Sequence, residues 1–151
     1  MTTPLPGPNA KIFFSTRHEA HSAFTNVSNH PINYQGRLYD TAEHLYHAFK
    51  FIGREPVIAE LVRKSTDPQR SARDNDDKKR PDWANVHLFM MEQVLTLKFH
   101  QYPGLKNNLL ATGDAQLIQL GSDQYWSQQE DGSGDNQFGH TLMRVRSTLR
   151  R

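Results

Sequence analysis

A chain of 151 residues with a formal net charge of +2, a pI of about 9.0 and 36% hydrophobic residues suits one domain with a packed core and leaves little room for a second. The absence of cysteine excludes disulfides, zinc–thiolate sites, iron–sulfur clusters and cysteine nucleophiles, and no apolar run approaches the roughly 18 residues of a membrane span. The basic bias is mild, compatible with a phosphorylated ligand but too weak to mark a nucleic-acid binder by charge alone.

Residues 1–10, MTTPLPGPNA, carry none of the charged and apolar regions of a signal peptide and read as a flexible lead. KIFFS (11–15) reads as a strand, and PINYQGRLYD (31–40) as two short strands around a Gln35-Gly36 turn. Thr41 suits the cap of a helix that runs to Gly53, where the glycine gives a stop. Pro56 belongs in the first turn of the helix PVIAELVRKS, and Asp67-Pro68 forms the cap and first residue of another. RDNDDKKRPD (73–82) is a charged connection. The longest helix follows, residues 83–101, apolar on nearly every face and so expected at the buried centre. PGLKNNLLATGD is a further helical piece, and AQLIQLGS and QYWSQ read as short strands. The Gly-rich loop EDGSGDNQFG (130–139) leads into a last helix whose Leu142, Val145 and Leu149 face the core. This order predicts an α+β fold: one compact, mostly helical domain over residues 11–151, with a few short strands. Mean hydropathy is −0.76, yet the apolar residues fall in periodic blocks, which speaks against disorder.

Three features carry candidate chemistry. In YDTAEHLYHAFKF (39–51) the residues Glu43, His47 and Lys50 stand at i, i+4 and i+7, within about 60° of one another on a helix. A carboxylate there can steady an oxocarbenium charge or activate water, and a lysine can bind phosphate or attack a sugar aldehyde. The same spacing also describes the solvated face of an amphipathic helix. In the glycine loop, backbone N–H groups ahead of a helix suit an anion, and Asn136 or Asp135 equally suits a plain N-cap. Trp83 and the pair Tyr125-Trp126 offer faces for stacking a base, or core packing. The histidines of HEAH (18–21) and HLYH (44–47) match no metal-binding pattern, so no metal is expected. KKR (78–80) and the four arginines among residues 144–151 read as solvated charge.

Taken in order, the segments FTNVSNHPINYQGRLYDTAEHLYHAFKF, RPDW, LTLKF, LLATGD, YW, GDNQFG and LMRVR resemble the NADAR, or YbiA-like, family from about Ile12 to Arg146. The resemblance implies a mostly helical α+β domain that hydrolyses an N-glycosidic bond on a phosphorylated ribose. Two substrate classes go with it: ADP-ribose attached to guanine in nucleic acid, and phosphoribosyl-type intermediates of riboflavin biosynthesis, cleaved to ribose 5-phosphate. A third reading, from another class, is a module that binds ADP-ribose without cleaving it.

Carried over residue by residue, the resemblance assigns Glu43 the acid/base or cation-stabilising role. Lys50 would hold a phosphate or capture the opened ribose, Trp83 would stack on a base or shield the reacting carbon, and Asn136 would hydrogen-bond the sugar. Phe24, Asn26, His44, His47, Tyr125, Trp126 and Gly134 join the substrate contacts, with Arg73 or Arg80 meeting a phosphate. Four positions depart from the family pattern: Val27 replaces an aromatic, His47 a glutamine, Ser127 a glycine and Asp135 a basic residue. The partners implied are ADP-ribose or a phosphoribosyl ligand and ADP-ribosylated DNA or RNA, with no cofactor and no membrane. The expected state is a monomer inside the cell, in the cytoplasm or nucleus.

Overall fold

Two short β-ladders and six α-helices supply the regular structure among the described residues, 3–151 of a computed structural model. The fold class is α+β and mostly helical, as the element order predicts. The chain divides into two units: Asn26–Lys98, and the residues up to Thr25 joined by Phe99–Arg151.

Strand β1 (Lys11–Phe14) belongs to the other unit; the Asn26–Lys98 unit opens with the hairpin β2 (Ile32–Tyr34) and β3 (Arg37–Tyr39), antiparallel with Ile32 opposite Tyr39. Gln35 and Gly36 both take positive φ, the requirement of a tight hairpin turn. Helix α1 (Ala42–Ala48) follows, capped by the Thr41 hydroxyl, which accepts the His44 N–H. Next come α2 (Pro56–Lys64) and α3 (Pro68–Asp74), each with proline in its first turn, and Asp67 caps α3 through the Arg70 N–H. The two pack on α1, with Ala42, Leu45, Ala48, Ile58, Ala59, Val62 and Ala72 buried. The unit closes with α4 (Trp83–Gln101) as far as Lys98.

Helix α1 is shorter than the expected run to Gly53. Lys50, Phe51 and Arg54 close i→i−3 bonds, and the Lys50 carbonyl accepts the Arg80 N–H at 2.8 Å rather than a bond from its own ladder. Lys50 therefore stands in a turn beyond the helix, and Gly53, at φ +85°, ends that turn. Helix α4 also departs from the all-round burial expected of it. Met91, Val94 and Leu95 are buried, whereas Phe89 is 55% exposed.

In the other unit, β1 (Lys11–Phe14) pairs in parallel with β4 (Gln116–Gln119), Lys11 opposite Gln116. Helix α5 (Pro103–Leu110) precedes β4, and α6 (Gln137–Leu149) packs on it through Phe138, Leu142, Val145 and Leu149. Residues before β1 are engaged as well: the Pro6 carbonyl accepts the Asp114 N–H at 2.8 Å. QYWSQ is a turn rather than a strand. The Asp123 carboxylate accepts the N–H groups of Tyr125 and Trp126, so those donors are spent locally, and a single bridge joins Leu120 to Gln128. Arg146 also differs from its reading as solvated charge: it is buried and donates to Thr112 Oγ1 at 2.9 Å.

The contact of α6 with β4 leaves no room at Gly139. A Cβ there would lie 2.1 Å from the Leu117 carbonyl oxygen and 2.4 and 2.5 Å from the Asn136 amide atoms. Gly139→Ala is expected to destabilise the protein by about 3 kcal/mol, lowering Tm by roughly 10 °C in a thermal melt. An unchanged Tm would show that helix and strand can part without loss.

Candidate functional site

The start of α1 is braced from two sides. The Glu43 N–H donates to the Asn26 carbonyl at 2.8 Å. His44 is buried, accepts from the Thr41 hydroxyl through Nδ1 at 2.8 Å and donates from Nε2 to the Ser65 carbonyl at 2.7 Å. Both ring nitrogens of His44 are thus taken, and its place is that of a clasp between α1 and the end of α2. Glu43 beside it is half-buried, and no hydrogen bond or ion pair engages its carboxylate among the described residues. Burial raises its pKa, a rise that His44 reduces and Asp67 reinforces.

One turn on, His47 is 8% exposed and its Nδ1 is buried with no hydrogen-bond partner. Burial, then the charge of Lys50 and the nearby His44, pull its pKa down to about 3, so the ring is neutral across the physiological range. The Lys50 ammonium lies over the Trp83 ring, 5.5 Å from its centroid. Burial lowers the Lys50 pKa, the charge of Lys79 lowers it further and Asp76 opposes both. Trp83 is 8% exposed, packed against Tyr46 at 5.1 Å between ring centroids. No ion pair joins Glu43 to Lys50; the neutral His47 stands between them in the chain. The expected acid–imidazole–amine series is therefore three partly desolvated groups, not a row of solvated charges.

The arginines divide. Arg73 is exposed at the end of α3 with no side-chain partner among the described residues. Arg80 is held by Asp82 through two hydrogen bonds, 2.7 and 3.0 Å, and its carboxylate partner offsets the charge expected to meet a phosphate. A hollow of about 490 Å³ is lined by Ile52, Gly53, Arg54, Arg80, Pro81 and Asp82. Arg54 there is exposed, its guanidinium makes no hydrogen bond among the described residues and its charge acts on Asp82; the sequence alone did not single it out. Its signal was present in the arginine directly after the Gly53 stop.

Five expected residues lie in the other unit. Phe24 is buried, edge-on to Phe14 at 5.9 Å and Phe99 at 5.8 Å, and so serves that unit's core. Asn136 is 2% exposed; its Oδ1 accepts the Gln119 N–H at 3.0 Å and its Nδ2 donates to the Leu117 carbonyl at 2.9 Å. The side chain that would hydrogen-bond a sugar thus fastens the start of α6 to β4. Gly134, at φ +110°, lets the loop pass where a Cβ would meet the Ser127 carbonyl at 2.4 Å. Tyr125 is 37% exposed and edge-on to Trp126. Ser127, at the family's glycine position, is buried and accepts from Gln119 Nε2 at 2.9 Å. A cavity of about 590 Å³ in this unit, beyond the C-terminal ends of β1 and β4, is lined by residues 15–18, 120–122 and 128–130 and includes none of the expected site residues.

Among the described residues no group of three or more His, Asp or Glu side chains is placed to hold a metal ion, and no helix is long and apolar enough to cross a membrane.

The chain as a whole is similar to known proteins of one family. The NADAR domain model matches residues 10–150. N-glycosidase YbiA of Escherichia coli (strain K12) is 33% identical over 141 residues, covering 91% of this chain and 86% of that protein. The riboflavin biosynthesis protein VVA0006 of Vibrio vulnificus (strain YJ016) is 32% identical over 142 residues, covering 91% of this chain and 38% of that one. The NMR structure of E. coli YbiA superposes with a TM-score of 0.81 at 31% identity, covering 97% of this chain and 88% of that one.

Proposed function

This chain belongs to the NADAR family and is a hydrolase of N-glycosidic bonds, and from that premise we propose that its substrate is ADP-ribose joined to guanine in nucleic acid. The observation that carries the reading is the Glu43 carboxylate, half-buried and uncommitted, on the helix that also bears neutral His47 and leads to Lys50 over Trp83. Hydrolysis breaks the bond between C1 of the ribose and the base nitrogen; water supplies hydroxide to C1 and a proton to the departing base. A desolvated carboxylate suits this reaction twice, steadying positive charge as C1 loses its leaving group and drawing the proton from water. His47, neutral and with Nδ1 unpartnered, is suited to hydrogen-bond a ribose hydroxyl. Arg54 and Arg73, both exposed, are suited to phosphate, whereas Arg80 is tied to Asp82. Asn26 and His44 enter as supports of Glu43, and Asn136, Gly134 and Phe24 as supports of the loop and core on their side.

A second reading, cleavage of phosphoribosyl intermediates of riboflavin biosynthesis, is favoured by the name of the Vibrio vulnificus relative. Incubating the protein with an ADP-ribosylated guanine oligonucleotide and, separately, with a phosphoribosylaminopyrimidine, then following products by mass spectrometry, decides between them. Free ADP-ribose and restored guanine are the expected products. Release of ribose 5-phosphate alone would establish the second reading. Tight ADP-ribose binding in calorimetry without turnover of either substrate would make the protein a reader.

A further inference from the structure

Lys98 stands on α4 with its side chain wholly enclosed, and the reaction above makes no use of it. Burying an amine is costly, and a methionine of similar length would occupy the same space without leaving water. What the amine holds is a loop. Its Nζ donates to Ser28 Oγ at 2.7 Å, and the same oxygen lies 2.9 Å from His30 Nδ1. The Ser28 carbonyl in turn accepts the His30 N–H at 2.8 Å. Two residues before Ser28, the Asn26 carbonyl receives the Glu43 N–H. A continuous series of contacts, all within the Asn26–Lys98 unit, links the enclosed amine to the first turn of α1.

We propose that Lys98 is a positioning residue for Glu43, acting through Ser28 by fixing the loop of residues 26–30 against the start of α1. The inference rests on Glu43 being the catalytic carboxylate. The enclosed amine is sensitive to its surroundings, its pKa drawn down to about 7 by burial. Burial, and then the charge of Lys98, keep the His30 pKa below the usual histidine value. A loop clamped at Ser28 from within the unit presents Asn26 in one place, and a misplacement of Glu43 by a fraction of an ångström is enough to slow the chemical step.

Two variants test this, Lys98→Met and Ser28→Ala, the second keeping the buried amine in case the first fails to fold. Each is expected to lower kcat by about tenfold with KM nearly unchanged, and the double variant to lose no more than the more impaired single. In NMR spectra the Glu43 amide should shift in both variants, and the His30 titration should move upward in Lys98→Met. Folded variants with wild-type kcat and an unmoved Glu43 amide would overturn the proposal, as would losses that simply multiply in the double variant. If the wild-type protein cleaves no ribosyl substrate, the functional reading falls, and the Glu43 and His30 resonances still decide whether Lys98 sets the loop.

Discussion

Glu43→Gln should fold as the wild type does and hydrolyse its N-glycosidic substrate about a thousandfold more slowly. The change keeps size and removes the charge, so what is lost is the stabilisation of positive charge at C1 and the base that activates water. The wild-type rate should rise with pH through a carboxylate limb placed above the ordinary glutamate range, because burial of Glu43 favours its neutral form. Glu43→Gln should lose that limb. Lys50→Ala belongs in the same assay and should cost a hundredfold or so by removing a cation held beside the site. Borohydride added during turnover fixes a ribosyl adduct on Lys50 if its amine opens the sugar, and leaves it unmodified if the ammonium serves a phosphate. Full activity in folded Glu43→Gln and Lys50→Ala would end the assignment.

His47→Gln should make the protein resistant to acid. The folded-state pKa of His47 is about 3, against 6.5 for an exposed histidine. As pH falls below 6.5 the unfolded chain takes up a proton there that the folded chain refuses until about pH 3. Stability present at neutral pH is therefore lost progressively across that window, by about 1.4 kcal/mol per pH unit at this residue. Between pH 6.5 and 4.5 the wild type should lose roughly 2–3 kcal/mol more than the variant, measured as the difference between their urea-unfolding free energies. Equal losses in the two proteins would show that the imidazole takes up a proton in place. The variant also separates stability from function: if Nδ1 serves a ribose hydroxyl, His47→Gln should raise KM at neutral pH while the fold gains in acid.

Signals that act over a few residues were readable in the chain. Thr41, Pro56 and Asp67 mark helix starts, and Gln35-Gly36 marks a hairpin, because cap and turn chemistry is settled within three or four positions. The shorter α1 was not readable, since the group that takes the Lys50 carbonyl is the N–H of Arg80, thirty positions on. Asp123 turned an apparent strand into a turn by accepting two N–H groups, a choice its neighbours' β-propensity conceals. Asn136 and Phe24 were placed by sequence among ligand contacts, yet the first is used by β4 and the second by Phe14 and Phe99, partners that periodicity does not reveal. For the site, spacing could put Glu43, His47 and Lys50 near one face but could not distinguish hydrated charges from desolvated ones. That difference, burial of all three groups, is what the proposed chemistry rests on.

The parallel pairing of β1 with β4 has a consequence for how the protein is made. β1 leaves the ribosome early and has no strand to join until β4 emerges, with the whole of the Asn26–Lys98 unit synthesised between them. That unit is continuous in sequence and has its hairpin and helices in hand before its counterpart can close. Folding is expected to follow translation, the segment bearing Glu43, Lys50 and Lys98 assembling before the β1–β4 ladder, whose partners are far apart in sequence.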